Sequence, residues 1–129
     1  MTSILIVEDH VLMGRALVRI IEDREDLKVA DVVQTGEDAI ERLERLHVDM
    51  VLVDVSLPAM SGIDLVIKLH ETHPDLPCIM LSGHNALQYV TRSLSAGARG
   101  YVIKDDIPGI FEGIRKVLAG EIYVSEGLR

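Results

Sequence analysis

Residues 4–10 read ILIVEDH: four apolar side chains, then two adjacent carboxylates and a histidine. An unbroken aliphatic run of this length, with no polar alternation, suits a strand covered on both faces. Four more such runs follow: VADVV (29–33), MVLVD (50–54), CIMLS (78–82) and GYVIK (100–104). Between them lie stretches with helical spacing of apolar residues. Leu12, Ala16, Leu17, Ile20 and Ile21 form one stripe, and Ile110, Phe111, Ile114, Val117 and Leu118 another. Residues 36–46 and 62–70 carry similar stripes, and 86–96 a weaker one of Leu87, Val90 and Leu94. Asp106 is placed to cap the last helix, with Pro108 just inside it and Gly120 after it. Strands and helices alternating five times with short connections predict an α/β fold, a doubly wound (βα)5 domain whose five-stranded parallel sheet has helices on both faces. The domain is expected over 1–120, with 121–129 as a tail or the start of a linker.

The bulk properties bound the function. A chain of 129 residues, 48% hydrophobic and 26% charged, is one folded domain. Its net charge of −8 disfavours nucleic-acid binding by this chain alone. The single cysteine, Cys78, sits in an apolar run, which excludes a disulfide framework and reads as a small buried hydrophobe. No run approaches the roughly 20 apolar residues of a membrane span and no signal-peptide pattern opens the chain, so a cytoplasmic location is expected.

In doubly wound sheets, ligands bind beyond the carboxyl ends of the strands, where the strand order reverses. The strand ends here are Glu8 and Asp9, then Asp54, Ser82 and Lys104, whereas the second strand ends in uncharged Gln34 and Thr35. In the flavodoxin-like order 2-1-3-4-5, the reversal lies between the first and third strands, and the acidic pair faces Asp54 across it. Two carboxylates 4 Å apart repel by about 4 kcal/mol at an effective dielectric near 20. Either their pKa values rise or a cation intervenes. Oxygen-only donors favour a hard ion, and Mg2+ with retained waters suits an open site. Three carboxylates, the Lys104 ammonium and one divalent ion balance to zero charge, a setting suited to a phosphoryl group. Singly, each residue has a plainer reading: Glu8, Asp9 and Asp54 as helix-start carboxylates, Lys104 as a surface lysine.

Taken together, the acidic pair in ILIVEDH, the aspartate in VLVDVSLPAMSG, the hydroxyl in IMLSGH and the lysine in GARGYVIKD resemble the receiver domains of two-component response regulators. The resemblance covers essentially the whole chain. VEDHVLMGRAL, GARGYVIKDD and AGEIYVSEGL are most similar to receivers that precede a LuxR/NarL-type helix-turn-helix domain. The resemblance implies that Asp54 is the phosphoacceptor, attacking the phosphohistidine of a sensor histidine kinase or phosphotransfer protein. It implies Mg2+ ligation by Asp9, Asp54 and the Ser56 carbonyl, with Glu8 acting largely through water. Lys104 would neutralise transferring oxygens, and Ser82 would bind the new phosphoryl group. Tyr101 matches the aromatic that turns inward when the serine moves, and Pro58 the proline shaping the loop after the acceptor. Gly83 keeps the small residue usual beside the serine, while Ser56 and His84 occupy positions expected to tune hydrolysis of the acyl phosphate.

Three functions compete. The first is a phosphorylation-controlled switch, not an enzyme with outside substrates, whose output is transcription through a DNA-binding part, a homodimer or a docked target. The second is an aspartyl-phosphate phosphatase, disfavoured because Asp54 is followed by Val-Ser-Leu and lacks the second aspartate of the DxDx[TV] pattern. The third is a stand-alone receiver acting by protein docking without phosphorylation. The chain is expected to be an excised fragment of a transcription regulator rather than a free-standing receiver.

Overall fold

The apolar runs become strands and the striped segments become helices. A computed structural model describes residues 1–83 and 87–129. In chain order these form β1 (Thr2–Val7), α1 (Val11–Glu22), β2 (Leu27–Val33), α2 (Gly36–Leu43), β3 (Met50–Asp54) and α3 (Gly62–Thr72). There follow β4 (Cys78–Ser82), α4 (Leu87–Ala96), β5 (Gly100–Ile103), α5 (Ile107–Leu118), β6 (Tyr123–Val124) and a short 3-10 turn at Glu126–Leu128. All strand pairs are parallel, in the order β2-β1-β3-β4-β5-β6.

The sheet therefore has six strands where the sequence analysis expects five. The residues expected as a tail return to the sheet: Tyr123 and Val124 pair with Gly100 and Tyr101, and Leu128 is buried. Ser125 explains the return. Its N–H donates to the Tyr101 carbonyl at 3.0 Å and its hydroxyl to Asp106 Oδ2 at 2.9 Å.

Side chains alternate across the sheet, so each strand feeds two cores. Leu5, Val7, Val51, Val53 and Met80 meet residues of α2, α3 and α4 on one face. Ile4, Ile6, Leu52, Ile79 and Val102 meet α1 and α5 on the other. This double burial is why the central strands lack polar alternation.

α1 lies differently from its expected stripe. Leu12 is 78% exposed and Ala16 is exposed, whereas Gly14, Leu17 and Ile21 are buried. A side chain at Gly14 would stand 3.2 Å from Val32 Cγ1, so the glycine lets α1 settle closely over β2 and sets its rotation. The caps of α5 follow expectation: Asp106 Oδ1 accepts from the Gly109 N–H at 3.0 Å, and Pro108 occupies the first turn.

Candidate functional site

The parallel sheet brings the carboxyl ends of β1, β3, β4 and β5 to one edge, and the backbone locks them there. Glu8 N–H donates to the Val33 carbonyl at 2.9 Å, Val55 N–H to Leu81 at 3.0 Å, and Lys104 N–H to Ser82 at 2.8 Å. Glu8, Asp54, Ser82 and Lys104 thus come together as the strand ends require. Their burial is deeper than an acidic loop would show: Glu8 is 1% exposed, Asp54 3% and Ser82 3%.

Lys104 Nζ stands 2.7 Å from Glu8 Oε1 and 3.2 Å from Asp54 Oδ2. One ammonium therefore serves two buried carboxylates. The other Asp54 oxygen, Oδ1, accepts from the Ser56 N–H at 3.0 Å. The other Glu8 oxygen accepts from the His10 N–H at 3.2 Å.

These contacts split the two acids. Burial raises the Glu8 pKa above the usual carboxylate value, and its bonds from Lys104 and His10 only partly oppose it. Burial also acts to raise Asp54, but the Ser56 N–H, the Lys104 charge and bonds from Glu8 and Lys104 outweigh it, so Asp54 is held below its usual value. Burial opposes the charge on Lys104, yet the bond to Glu8 and the charges of both acids raise its pKa. Asp54 is the anion held ready at this edge.

Glu8, Asp9, His10 and Asp54 each offer a donor atom, all within 4.8 Å of one another. Asp9 Oδ1 is a buried atom that accepts no hydrogen bond. A buried carboxylate oxygen without a donor is costly unless a cation supplies the missing charge. The donor set, rich in carboxylate oxygen, fits a hard divalent ion.

The plainer helix-cap reading of the acidic pair does not describe them: His10 is the N-cap residue of α1, with no side-chain cap bond. Tyr101 is fully buried, its ring lying inward on the β3–β4–β5 face that carries Ser82 nearby. Burial raises its phenol pKa, with the Ser82 side chain acting against that rise. His84 lies outside the described residues.

Two contributors escaped the sequence analysis. Gly62 opens α3, and a Cβ there would stand 2.2 Å from the Asp54 carbonyl oxygen and 2.9 Å from Val55 Cα. Only glycine permits this approach of α3 to the strand end carrying Asp54. Ala59 holds φ at +61° in the same connection, beside Pro58. The signal for Gly62 was present in SLPAMSG, a glycine directly after a helix-capping serine. Ser61 Oγ accepts from the Asp64 N–H at 3.1 Å.

Known proteins match the chain over most of its length. A family model described as "Response regulator receiver domain" matches residues 4–115. The "Response regulator GacA" of Pseudomonas viridiflava is 32% identical over 126 residues, covering 97% of this chain and 59% of that protein. The "Transcriptional regulatory protein DegU" of Brevibacillus brevis is 31% identical over 123 residues, covering 95% of this chain and 52% of that protein. The chain thus spans little more than half the length of these curated relatives. A crystal structure of a LuxR-family two-component response regulator from Aurantimonas sp. SI85-9A1 superposes with a TM-score of 0.95 at 24% identity. That match covers 98% of this chain and 91% of the other.

Proposed function

Because this chain belongs to the response regulator receiver domains, we propose that it takes a phosphoryl group onto Asp54 from a phosphohistidine donor and switches conformation in response. The observation that carries the assignment is the bridging of Glu8 and Asp54 by Lys104 at the edge where the strand ends converge.

In the step assigned to Asp54, a carboxylate oxygen attacks phosphorus and the P–N bond of the donor breaks. The bonding electrons leave with the imidazole nitrogen, which regains a proton. Asp54 suits the role because its depressed pKa keeps it anionic and its Oδ1 is oriented by the Ser56 N–H. Lys104 then follows the charge, its ammonium already within reach of the reacting carboxylate. Mg2+ would be held by Asp9, Asp54 and the Ser56 carbonyl, with Glu8 reaching it largely through water, and would supply positive charge to the transferring oxygens. Ser82, ending β4 beside Lys104, is the hydroxyl assigned to the new phosphoryl group, and Tyr101 the aromatic coupled to it.

Phosphorylation replaces the single negative charge of the Asp54 carboxylate with a phosphoryl group carrying about −1.5 to −2, a net gain of about one half to one negative charge beside Lys104. That change is the signal. Self-phosphotransfer and its hydrolysis are the only chemistry assigned, since Ser56 stands where a phosphatase of the DxDx[TV] class has its second aspartate. The partner is a histidine kinase or phosphotransfer protein. The output assigned is transcription, supported by the likeness to the "Transcriptional regulatory protein DegU".

The test is intact mass after incubation with acetyl phosphate, with Mg2+ and with EDTA, beside Asp54→Asn. A gain of one phosphoryl group that needs Mg2+ and is lost in the variant supports the assignment. Equal labelling of Asp54→Asn overturns it. Lys104→Ala is expected to impair the conformational response more than metal binding.

A further inference from the structure

We propose that His10 is a further ligand of the acidic edge, giving it a nitrogen donor and a preference for borderline divalent ions such as Co2+ over Mg2+. The proposal rests on the reading of Glu8, Asp9 and Asp54 as a cation site.

The placement of His10 follows from its neighbours. Lys104 occupies Glu8 Oε1, which turns Oε2 toward His10. The His10 N–H donates to that oxygen at 3.2 Å, fixing the backbone at the mouth. The ring then sits with Nδ1 at 3.5 Å from both Glu8 Oε2 and Asp9 Oδ1. Asp9 Oδ1 is the buried oxygen that accepts no hydrogen bond. As N-cap of α1 the imidazole makes no capping bond, and its side chain is 76% exposed. No packing therefore opposes a shift of a few tenths of an ångström.

The spacing matches a coordination shell slightly opened. Donors around an octahedral ion with bonds of about 2.1 Å stand about 3.0 Å apart when adjacent and about 4.2 Å when opposite. Here His10 Nδ1 and Asp9 Oδ1 lie 3.5 Å apart, and the donor atoms of all four residues, including Glu8 acting through water, lie within 4.8 Å of one another. Among the described residues this is the one group of three or more such donors so gathered. Imidazole is a poor partner for Mg2+ and a good one for borderline ions, so replacing one retained water by Nδ1 raises affinity selectively. The competing account is a protonated imidazole paired with the two acids and excluded from the shell.

Mn2+ bound to the purified protein, examined by electron spin echo modulation, separates the two. Imidazole nitrogen coupling that disappears in His10→Ala and on displacement by excess Mg2+ supports ligation. Alongside it, Co2+ affinity should fall about tenfold in the variant, with Mg2+ affinity nearly unchanged. Competing Mg2+ and Asp9→Asn keep surface histidines from passing as the site. Mn2+ bound at the Mg2+-competed site without nitrogen coupling, or with coupling that survives His10→Ala, overturns the role of His10 and leaves the cation site standing. Failure of Mg2+, Mn2+ and Co2+ alike to bind overturns both.

Discussion

Ser125 Oγ donates to Asp106 Oδ2 at 2.9 Å while accepting from the Ile103 N–H at 3.1 Å. One buried hydroxyl thereby ties the last segment both to the end of β5, one residue before Lys104, and to the N-cap of α5. Ser125→Ala leaves the Ile103 N–H and one Asp106 oxygen without that partner. The expected cost is about 1–3 kcal/mol. Urea unfolding followed by circular dichroism reads it, and an unchanged midpoint would remove the segment from the folded unit.

Gly62→Ala tests the close approach behind Asp54. The added methyl would meet the Asp54 carbonyl at 2.2 Å, and that oxygen belongs to backbone that cannot rotate away. Either α3 or the end of β3 must shift, at about 1–3 kcal/mol for overpacking. Because the strain falls on the acceptor's own residue, acetyl-phosphate labelling should slow together with the loss of stability. A stable variant labelling at the parent rate would contradict this placement.

The strands and the polar edge were legible because each rests on a strong local signal. A strand buried on both faces has to be apolar throughout, and a polar residue can appear only where it ends, as at Glu8, Asp54 and Ser82. What was hidden depends on approach distances between elements. Met13, Gly14, Leu17, Val18 and Ile21 make as good a stripe as the one including Leu12 and Ala16. The choice was made by the contact of Gly14 with Val32, which no periodicity encodes. Tyr123 and Val124 gave too short a run to read as a strand, and their pairing depends on Ser125 meeting Asp106 across 19 residues. The depth of Glu8 was hidden for the same reason, since the ammonium that compensates it among the described residues comes from Lys104, on a strand far along the chain.

Asp9→Asn separates charge repulsion from metal binding. In EDTA, Asp9 faces Glu8 and Asp54 without a hydrogen bond to its buried oxygen, so the amide should raise Tm. With Mg2+ the order should reverse. At tenfold excess over Kd, a ligand that binds only the folded state adds about 1.4 kcal/mol, and the variant should lose most of that gain. Paired thermal melts in EDTA and Mg2+ supply the check. Equal Mg2+ shifts in both proteins would take Asp9 out of the shell.

Cys78, 3% exposed at the start of β4, makes the pH dependence testable away from the charged edge. Burial pushes its thiol pKa up to about 12 from an ordinary 9.0. The unfolded chain therefore loses the thiol proton at a lower pH than the folded chain does. A raised folded pKa gives stability that is fully present below pH 9 and is lost progressively between 9 and 12. By pH 10 the loss from this one group is about 1.4 kcal/mol. Cys78→Ala should be less stable at pH 7, because it leaves a small void in a packed strand, but it should lose less on going to pH 10. The other groups with raised pKa values, Glu8, Tyr101, Lys104, Arg115 and Tyr123, remain in both proteins and cancel in the difference. Urea midpoints at pH 7 and 10 for the two proteins measure that difference directly. Parallel losses would mean that the thiol ionises in the folded protein near its ordinary value, and that β4 admits water at its first residue.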